Sequence, residues 1–437
     1  MKQKQNKYFQ QIVSLQNIKD AFNDIKEKFY NPKSQRYVLE QLARGIDGRC
    51  FANFQKHFHK EIKQIQKELK QFKQPLPSLD LKIPKNSNPN KFRTISISCL
   101  KEKIKHQAIC RIIEPVLEQL YPNNLFSYRK GKGAYLAVKN LRKTIILNEN
   151  NFYLYKVDMK DYFDNLDHEI LINLINKIYN DQSLAKLLNL FLKQRRVEEN
   201  SIIDSELGVV QGISISSHLA NLYLMELDQK MADENINYFR VGDDIIVAHE
   251  NEKRLKDIAK EVENFLIKER KLTINQEKTK IFNPDEFCEY MGYEINSENL
   301  RIAERNYNKM KNKIRIVFNK NISKHIDRNQ VDKDEMLKEI LSLIFPENRL
   351  PDHVMWLRYF MLSNDIQQIK KMDDYIENRI RLVFFGKSRV KNKFLLPSDF
   401  LKNYGYVSLS KIYHDITNGR KLFTDYVKHF KTNTDTN

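Results

Sequence analysis

Cysteine is scarce and scattered in this chain. The 437 residues hold four, Cys50, Cys99, Cys110 and Cys288, with no Cys-x-x-Cys pair, which argues against a zinc module and for reduced, mostly buried thiols. His57 and His59 lie two apart on a polar helical stretch, so they face different directions and make a poor ligand pair. Long apolar runs are absent: none approaches the ~20 residues of a membrane span. The opening stretch Met1-Lys2-Gln3-Lys4-Gln5-Asn6-Lys7 lacks a signal peptide's apolar core. No internal repeat is found. These absences lead us to expect a cytoplasmic chain without membrane association, large enough for about two or three domains.

What the chain has in excess is positive charge. Lys+Arg 75 against Asp+Glu 56 gives +19, a surface suited to a polyanion through counterion release. Interleaved Lys, Tyr and Phe can also stack bases. A Lys-, Asn- and Ile-rich composition is also what an AT-rich genome would give, so composition only supports what the motifs carry.

Two stretches place carboxylates in apolar, β-prone settings. Phe152-Tyr153-Leu154-Tyr155-Lys156-Val157-Asp158 alternates like a half-buried strand that ends near Asp158. Asn237-Tyr238-Phe239-Arg240-Val241 and Ile245-Ile246-Val247-Ala248 read as strands joined across Gly242-Asp243, which is hairpin chemistry. The tip then presents Asp243 and Asp244. Carboxylates brought together there raise one another's pKa unless a cation compensates, and Mg²⁺ suits hard oxygen ligands and substrate phosphates. Asp-Asp after Gly is also ordinary turn chemistry, so the pair alone does not decide. Between the two lies Gly208-Val209-Val210-Gln211-Gly212-Ile213-Ser214-Ile215-Ser216-Ser217-His218-Leu219-Ala220-Asn221. A glycine-marked loop there leads into an amphipathic helix; it either lets a nucleotide approach closely or is a connector with Ser capping a core helix.

Taken in order, these pieces resemble the reverse transcriptases, in particular the bacterial ones related to group II intron proteins, over about residues 40–300. Gly45-Ile46-Asp47-Gly48 and Ile83-Pro84-Lys85 look like the family's N-terminal signature and fingers entry. Lys91-Phe92-Arg93-Thr94-Ile95-Ser96-Ile97 is similar to its fingers motif, with Lys103, Lys105, His106 and Gln107 on a helix after it. Phe126-Ser127-Tyr128-Arg129-Lys130-Gly131-Lys132-Gly133-Ala134 is similar to the phenylalanine-arginine-glycine block. Asp158 matches the first palm motif, Gln211-Gly212 with Ser216 and Asn221 the second, and Asp243-Asp244 the third. Leu272-Thr273-Ile274-Asn275-Gln276-Glu277-Lys278-Thr279 and Tyr290-Met291-Gly292-Tyr293 look like the fourth motif and the primer grip.

The resemblance implies roles. Asp158 and Asp243 would hold two Mg²⁺ ions about 3.5–4 Å apart, with Mn²⁺ as a substitute, and Asp244 would support them. Phe163 would block a ribose 2′-hydroxyl, with a buried palm ring as the alternative. Arg93 and Lys91 would face the triphosphate, Gln211 and Gly212 would position template and nucleotide, and Lys278 would protonate the leaving pyrophosphate. For Lys91 and Lys278 a solvated charge is the ordinary alternative. The chain departs from the family at Val241-Gly242, where bacterial relatives carry Tyr-Ala, and at Ser217, where intron proteins carry proline. Gly-Asp-Asp is similar to viral RNA-dependent RNA polymerases, but such enzymes lack a ring at the Phe163 position.

The expected architecture is an α+β right-hand polymerase: a helical N-terminal extension over 1–80, fingers over 81–150, palm over 151–295, helical thumb over 296–385 and a C-terminal tail over 386–437, ending in a polar, disordered Lys431-Thr432-Asn433-Thr434-Asp435-Thr436-Asn437. The expected activity is RNA-directed DNA polymerisation from dNTPs on an RNA template, giving a DNA product or RNA–DNA hybrid. Antiphage defence, with a noncoding RNA or a second polymerase subunit as partner, is the leading biological role, since no endonuclease module is visible. The alternatives are an intron maturase that binds a structured RNA, and an RNA-dependent RNA polymerase.

Overall fold

The computed structural model describes residues 6–28, 30–31, 36–37, 45–85, 88–145, 151–199, 201–322, 335, 338–339, 341–342, 352–385, 391–403, 406–423 and 425–426. The Lys431–Asn437 stretch lies outside the described residues, as does most of the span between 323 and 351. The chain divides into two compact units, residues 1–137 with 153–282, and residues 138–152 with 283–437.

The first unit opens on helices α1 (Lys7–Ile12), α2 (Leu15–Glu27), α3 (Phe51–Lys56) and α4 (Phe58–Lys70), with a small ladder of β1 (Tyr30–Asn31) and β2 (Arg36–Tyr37) between α2 and α3. The apolar positions Ile62, Ile65 and Leu69 of α4 recur at helical spacing and are buried, as the amphipathic pattern requires. Helix α5 (Leu100–Leu120) buries Ile104, Ala108, Ile109, Ile113 and Leu117. Its Lys105 Nζ lies 2.8 Å from both Glu68 Oε2 and Glu102 Oε1, with all three side chains buried. This cation is therefore committed to joining α4 and α5, and is not a nucleotide ligand.

Strands β3 (Ser78–Lys85) and β4 (Asn88–Ile97) form an antiparallel hairpin with Leu79 opposite Ile97 and Ile83 opposite Arg93. Two short strands from about a hundred residues further along the chain, β6 (Arg196–Glu198) and β7 (Ser201–Ile203), extend this sheet, β6 running parallel to β3. Periodicity gives no hint of that long-range pairing, because three-residue strands carry too little pattern.

The second sheet has the order β10-β5-β9-β8, built from β5 (Tyr153–Val157), β8 (Asn237–Val241), β9 (Asp244–His249) and β10 (Lys280–Phe282), all antiparallel. Its Tyr155, Val157, Ile245 and Val247 belong to one large core with Leu219 and Ala220 of α9 (Ser214–Tyr223) and Leu255, Ile258 and Val262 of α11 (Glu252–Asn264). Each such aliphatic side chain contributes about 1.5–3 kcal/mol by leaving water, so this core fixes β5 and β9 as a rigid base. Helix α6 (Ala134–Ile145) precedes the sheet, and α7 (His168–Tyr179), α8 (Gln182–Leu192) and α10 (Met225–Asp233) complete the helical cover.

The second unit holds a three-stranded antiparallel sheet of β11 (Cys288–Tyr290), β12 (Tyr293–Ile295) and β13 (Leu300–Ile302). Helix α12 (Glu304–Ile322) and the helices Asp352–Tyr359 and Ile366–Phe385 follow, sharing a core of Ile314, Val354, Leu357, Ile369, Met372, Ile376 and Ile380. Asp373 clamps the later segment Tyr406–Ser410 onto this unit: it accepts hydrogen bonds from the Leu409 and Ser410 backbone N–H groups at 2.6 and 2.8 Å. Among the described residues no helix is long and apolar enough to cross a membrane.

Candidate active site

The hairpin read from the sequence is present, with Val241 paired to Asp244 across a two-residue turn of Gly242 and Asp243. Gly242 has φ +67° and Asp243 does not share the left-handed region, the φ signature of a II′ turn, which twists with its strands. Strand β5 pairs with β9 from Tyr153 opposite His249 to Val157 opposite Ile245. Continuing that register by one residue sets Asp158 opposite Asp244, with Asp243 beside them in the turn.

Asp158 is seated by the fourth motif. Its backbone N–H donates to Thr279 Oγ1 at 3.2 Å and its carbonyl accepts from the Asn275 N–H at 2.8 Å. Asp158 Oδ2 accepts from Asn275 Nδ2 at 3.1 Å and lies 3.4 Å from Lys278 Nζ. Lys278 is otherwise largely exposed. Asp244 Oδ1 stands 3.8 Å from Lys156 Nζ. Burial, then the Asp244 charge, then that of Asp158, push the Asp243 carboxyl up to about 6, against partial relief from its own backbone N–H and Arg240. A carboxyl held there by like charges is a group that a cation would relieve.

The arrangement fits a divalent metal in chemistry and in part in number. The donors are hard oxygens, and the Asp158 charge bears on Asp243. Among the described residues, however, no group of three or more His, Cys, Asp or Glu side chains is gathered as a ready metal cage. Mg²⁺ is characteristically held by one or two carboxylates plus substrate phosphates and water, so two converging carboxylates suit a site completed by its substrate.

What sequence reading missed is the strut beneath the turn. Arg240, fully buried on β8, donates through Nη1 to the Gly242 carbonyl at 3.0 Å and through Nη2 to the Asn221 carbonyl at 3.2 Å. Its Nε and Nη2 reach the two carboxylate oxygens of buried Asp228 at 2.8 and 2.5 Å, and Tyr238 Oη donates to Asp228 Oδ1 at 2.9 Å. Arg240 stays firmly charged: burial opposes the charge, but Asp228 outweighs it. The available signal was an arginine inside an otherwise apolar strand, which demands a buried partner.

The segment before α6 is sewn to the same strand. The Phe126 N–H donates to the Arg240 carbonyl at 2.9 Å and the Arg240 N–H to the Asn124 carbonyl at 3.0 Å. Ser127 Oγ donates to Asn221 Oδ1 and Asn221 Nδ2 to the Ser127 carbonyl, both at 2.8 Å. Gln211 is half-buried, and its carbonyl accepts from the Ser96 N–H of β4 at 2.8 Å. Gly212 has φ +97°, and an added Cβ would stand 2.9 Å from the Ser96 carbonyl oxygen, so only glycine fits. No serine caps α9 through its side chain; Ser216 Oγ instead donates to the Val210 carbonyl at 2.6 Å, closing the loop. Phe163 lies half-buried on a 3₁₀ turn, Tyr162–Asn165, edge-on to the Tyr162 ring at 5.8 Å. Tyr162 is anchored by donating its hydroxyl to the Ala220 carbonyl at 2.6 Å. Arg93 is exposed on β4; the Lys91 side chain lies outside the described residues.

Residues 83–295, which contain this entire constellation, match the family described as "Reverse transcriptase (RNA-dependent DNA polymerase)". Over that span the chain is similar to reverse transcriptases, and its curated relatives include group II intron-encoded proteins. It is 25% identical over 262 residues to the group II intron-encoded protein LtrA of Lactococcus lactis subsp. cremoris, a match over 57% of this chain and 43% of that one. It is 23% identical over 267 residues to the protein YkfC of Escherichia coli K12, covering 53% of this chain and 70% of that one. Apo telomerase from Candida tropicalis aligns at a TM-score of 0.45 and 14% identity over 83% of this chain and 68% of that chain. This chain thus spans less than half the length of its intron-encoded relative LtrA.

Proposed function

We propose that this chain is an RNA-directed DNA polymerase that extends a 3′-hydroxyl with dNTPs on an RNA template by a two-metal mechanism. The observation that carries the reading is the turn that sets Asp243 beside Asp244 and Asp158, its carboxyl pushed up by burial and then by their charges, within the span that matches the reverse transcriptase family. Mg²⁺, or Mn²⁺ in its place, would be held by Asp158 and Asp243 with Asp244 in support, and supplies activation of the attacking hydroxyl and stabilisation of the leaving oxygen. Phe163 would exclude a ribose 2′-hydroxyl. Gln211 and Gly212 would seat the nucleotide against the β4 edge, and Arg93 and Lys91 would bind its phosphates as charge-assisted donors. Lys278, beside Asp158, would deliver a proton to pyrophosphate.

In this reading residues 81–150 act as fingers, 151–295 as palm and 296–385 as a thumb that grips the hybrid, with 1–80 an N-terminal extension and 386–437 a tail. We place the chain in the cytoplasm and assign it to antiphage defence, with a noncoding RNA or a second polymerase subunit as partner, because Val241 and Ser217 depart from the intron pattern. A second reading, a maturase that binds a structured intron RNA, is favoured by the intron-encoded relatives. Purified protein supplied with Mg²⁺ and labelled nucleotides, beside its Asp243→Ala, Asp244→Ala variant, tests the chemistry. Sequencing the co-purified RNA and the product separates the two roles. Equal incorporation by both proteins would overturn the polymerase assignment.

A further inference from the structure

One element of the first unit has no part in the mechanism above: Tyr128, within the Phe126–Ala134 block. Its neighbours are all tied down. Phe126 is bonded to β8 and Ser127 to Asn221. Arg129 donates to the Pro122 carbonyl at 2.6 Å and the Leu125 carbonyl at 3.0 Å, and pairs with Glu118 at 2.7 Å. Tyr128 projects, 49% exposed, from a backbone with φ +54°. A bulky residue in the left-handed region is a genuine outlier, and such strain persists where its surroundings enforce it, typically at binding sites. An exposed aromatic in that conformation serves neither the core nor the turn, since glycine would make the same turn without strain.

The ring's surroundings indicate what it serves. It stands edge-on to Phe163, ring centroids 6.4 Å apart and planes at 87°, the preferred T-shaped geometry for an aromatic pair. Phe163 in turn stands edge-on to buried Tyr162, so three rings form a row from the core outward.

We propose that Tyr128 is a specificity-determining residue: with Phe163 it forms one aromatic wall against the sugar of the incoming nucleotide, and it holds Phe163 where a 2′-deoxyribose passes and a ribose does not. This rests on the polymerase reading above. The left-handed backbone is the means by which a loop sewn to β8 aims a ring at Phe163. The ring, more than the hydroxyl, carries the effect.

The test is the ratio of kcat/KM for a dNTP over the matching rNTP, with one labelled primer on an RNA template in Mg²⁺. Tyr128→Phe keeps the ratio within about threefold of the unmutated protein, whereas Tyr128→Ala and Tyr128→Gly lower it roughly tenfold or more, in the range a single pocket contact governs. The Phe163→Ala, Tyr128→Ala double variant falls no further than the worse single one, because coupled residues are not additive. Tyr128→Gly relieves the backbone strain and melts no lower than the unmutated protein, so folding does not confuse the result. An unchanged ratio in folded Tyr128→Gly, with Phe163→Ala lowering it, overturns the Tyr128 assignment and leaves the polymerase reading standing. No incorporation by the unmutated protein overturns both.

Discussion

Arg240 can be removed in two ways that separate stability from geometry. In Arg240→Leu the buried Asp228 carboxylate loses its bonds from Nε and Nη2 at 2.8 and 2.5 Å and keeps only the Tyr238 hydroxyl among the partners described above. The Gly242 and Asn221 carbonyls lose their donor at the same time. Breaking one partner of a buried pair costs about 3–5 kcal/mol, which for a unit of this size lowers the melting temperature by roughly 5–15 °C. The double variant Arg240→Met, Asp228→Leu replaces the pair by apolar volume and recovers most of that loss. It does not recover activity, because nothing holds the Gly242 carbonyl and Asp243 is free to drift; a misplacement of about 1 Å costs on the order of 10²-fold in rate. Calorimetric melting beside primer extension reads both quantities. A double variant that melts and polymerises like the unmutated protein would refute the claim that Arg240 positions the turn. So would Arg240→Leu melting within 2 °C of it, a shift about one kcal/mol would exceed.

Three further outcomes follow from the same geometry. Asp243 titrates near 6 without metal, and metal needs the ionised form, so Mn²⁺ affinity measured by calorimetry should hold above pH 7 and fall up to tenfold per unit below about 6; a flat profile from pH 7 to 5 would contradict this. The same raised value means that the folded protein takes up a proton which the unfolded chain does not hold, so this group favours folding more at pH 5 than at pH 7. Gly212→Ala drives a Cβ against the Ser96 carbonyl at a positive φ, costing about 1–3 kcal/mol by overpacking and lowering nucleotide affinity, both readable by melting and by KM. Lys105→Met strips the cation from between Glu68 and Glu102 and should destabilise by about 3–5 kcal/mol. Burial pushes Glu68 up, yet bonds from Lys105, Gln64 and Lys101 hold it at about 2. The stability it lends is therefore complete above the unfolded carboxyl range and lost as pH falls from about 4.5 toward 2, a loss that Lys105→Met should largely abolish.

The parts legible in the sequence were those whose signal is local. Alternation marked β5 and the β8–β9 hairpin, Gly242 marked the turn, and helical spacing marked α9. The paired carboxylates stood out because charge at the end of an apolar strand is rare. Partner choice across long separations was not legible. Arg240 announced a buried partner without naming Asp228, and nothing in Asn275 or Thr279 advertised that each would bond the Asp158 backbone across more than a hundred residues of chain. Lys105 looked like one more basic residue near the fingers motif, and only packing shows it spent between two glutamates. Tyr128 was hidden for another reason: a left-handed tyrosine violates local preference, and preference is all that a sequence window contains. Strands β6 and β7 were missed because three residues cannot display a period.

The central claim is that Asp158 and Asp243 jointly hold the metal that drives dNTP incorporation on RNA. The most direct measurement is primer extension on an RNA template by the unmutated protein, Asp158→Asn and Asp243→Asn, each paired with a Mn²⁺ titration of the same preparation. The account predicts extension that each substitution lowers by at least about 10³-fold, with Mn²⁺ affinity falling in both while the melting temperature holds. Extension that survives either substitution, or Mn²⁺ affinity that neither one changes, would contradict it.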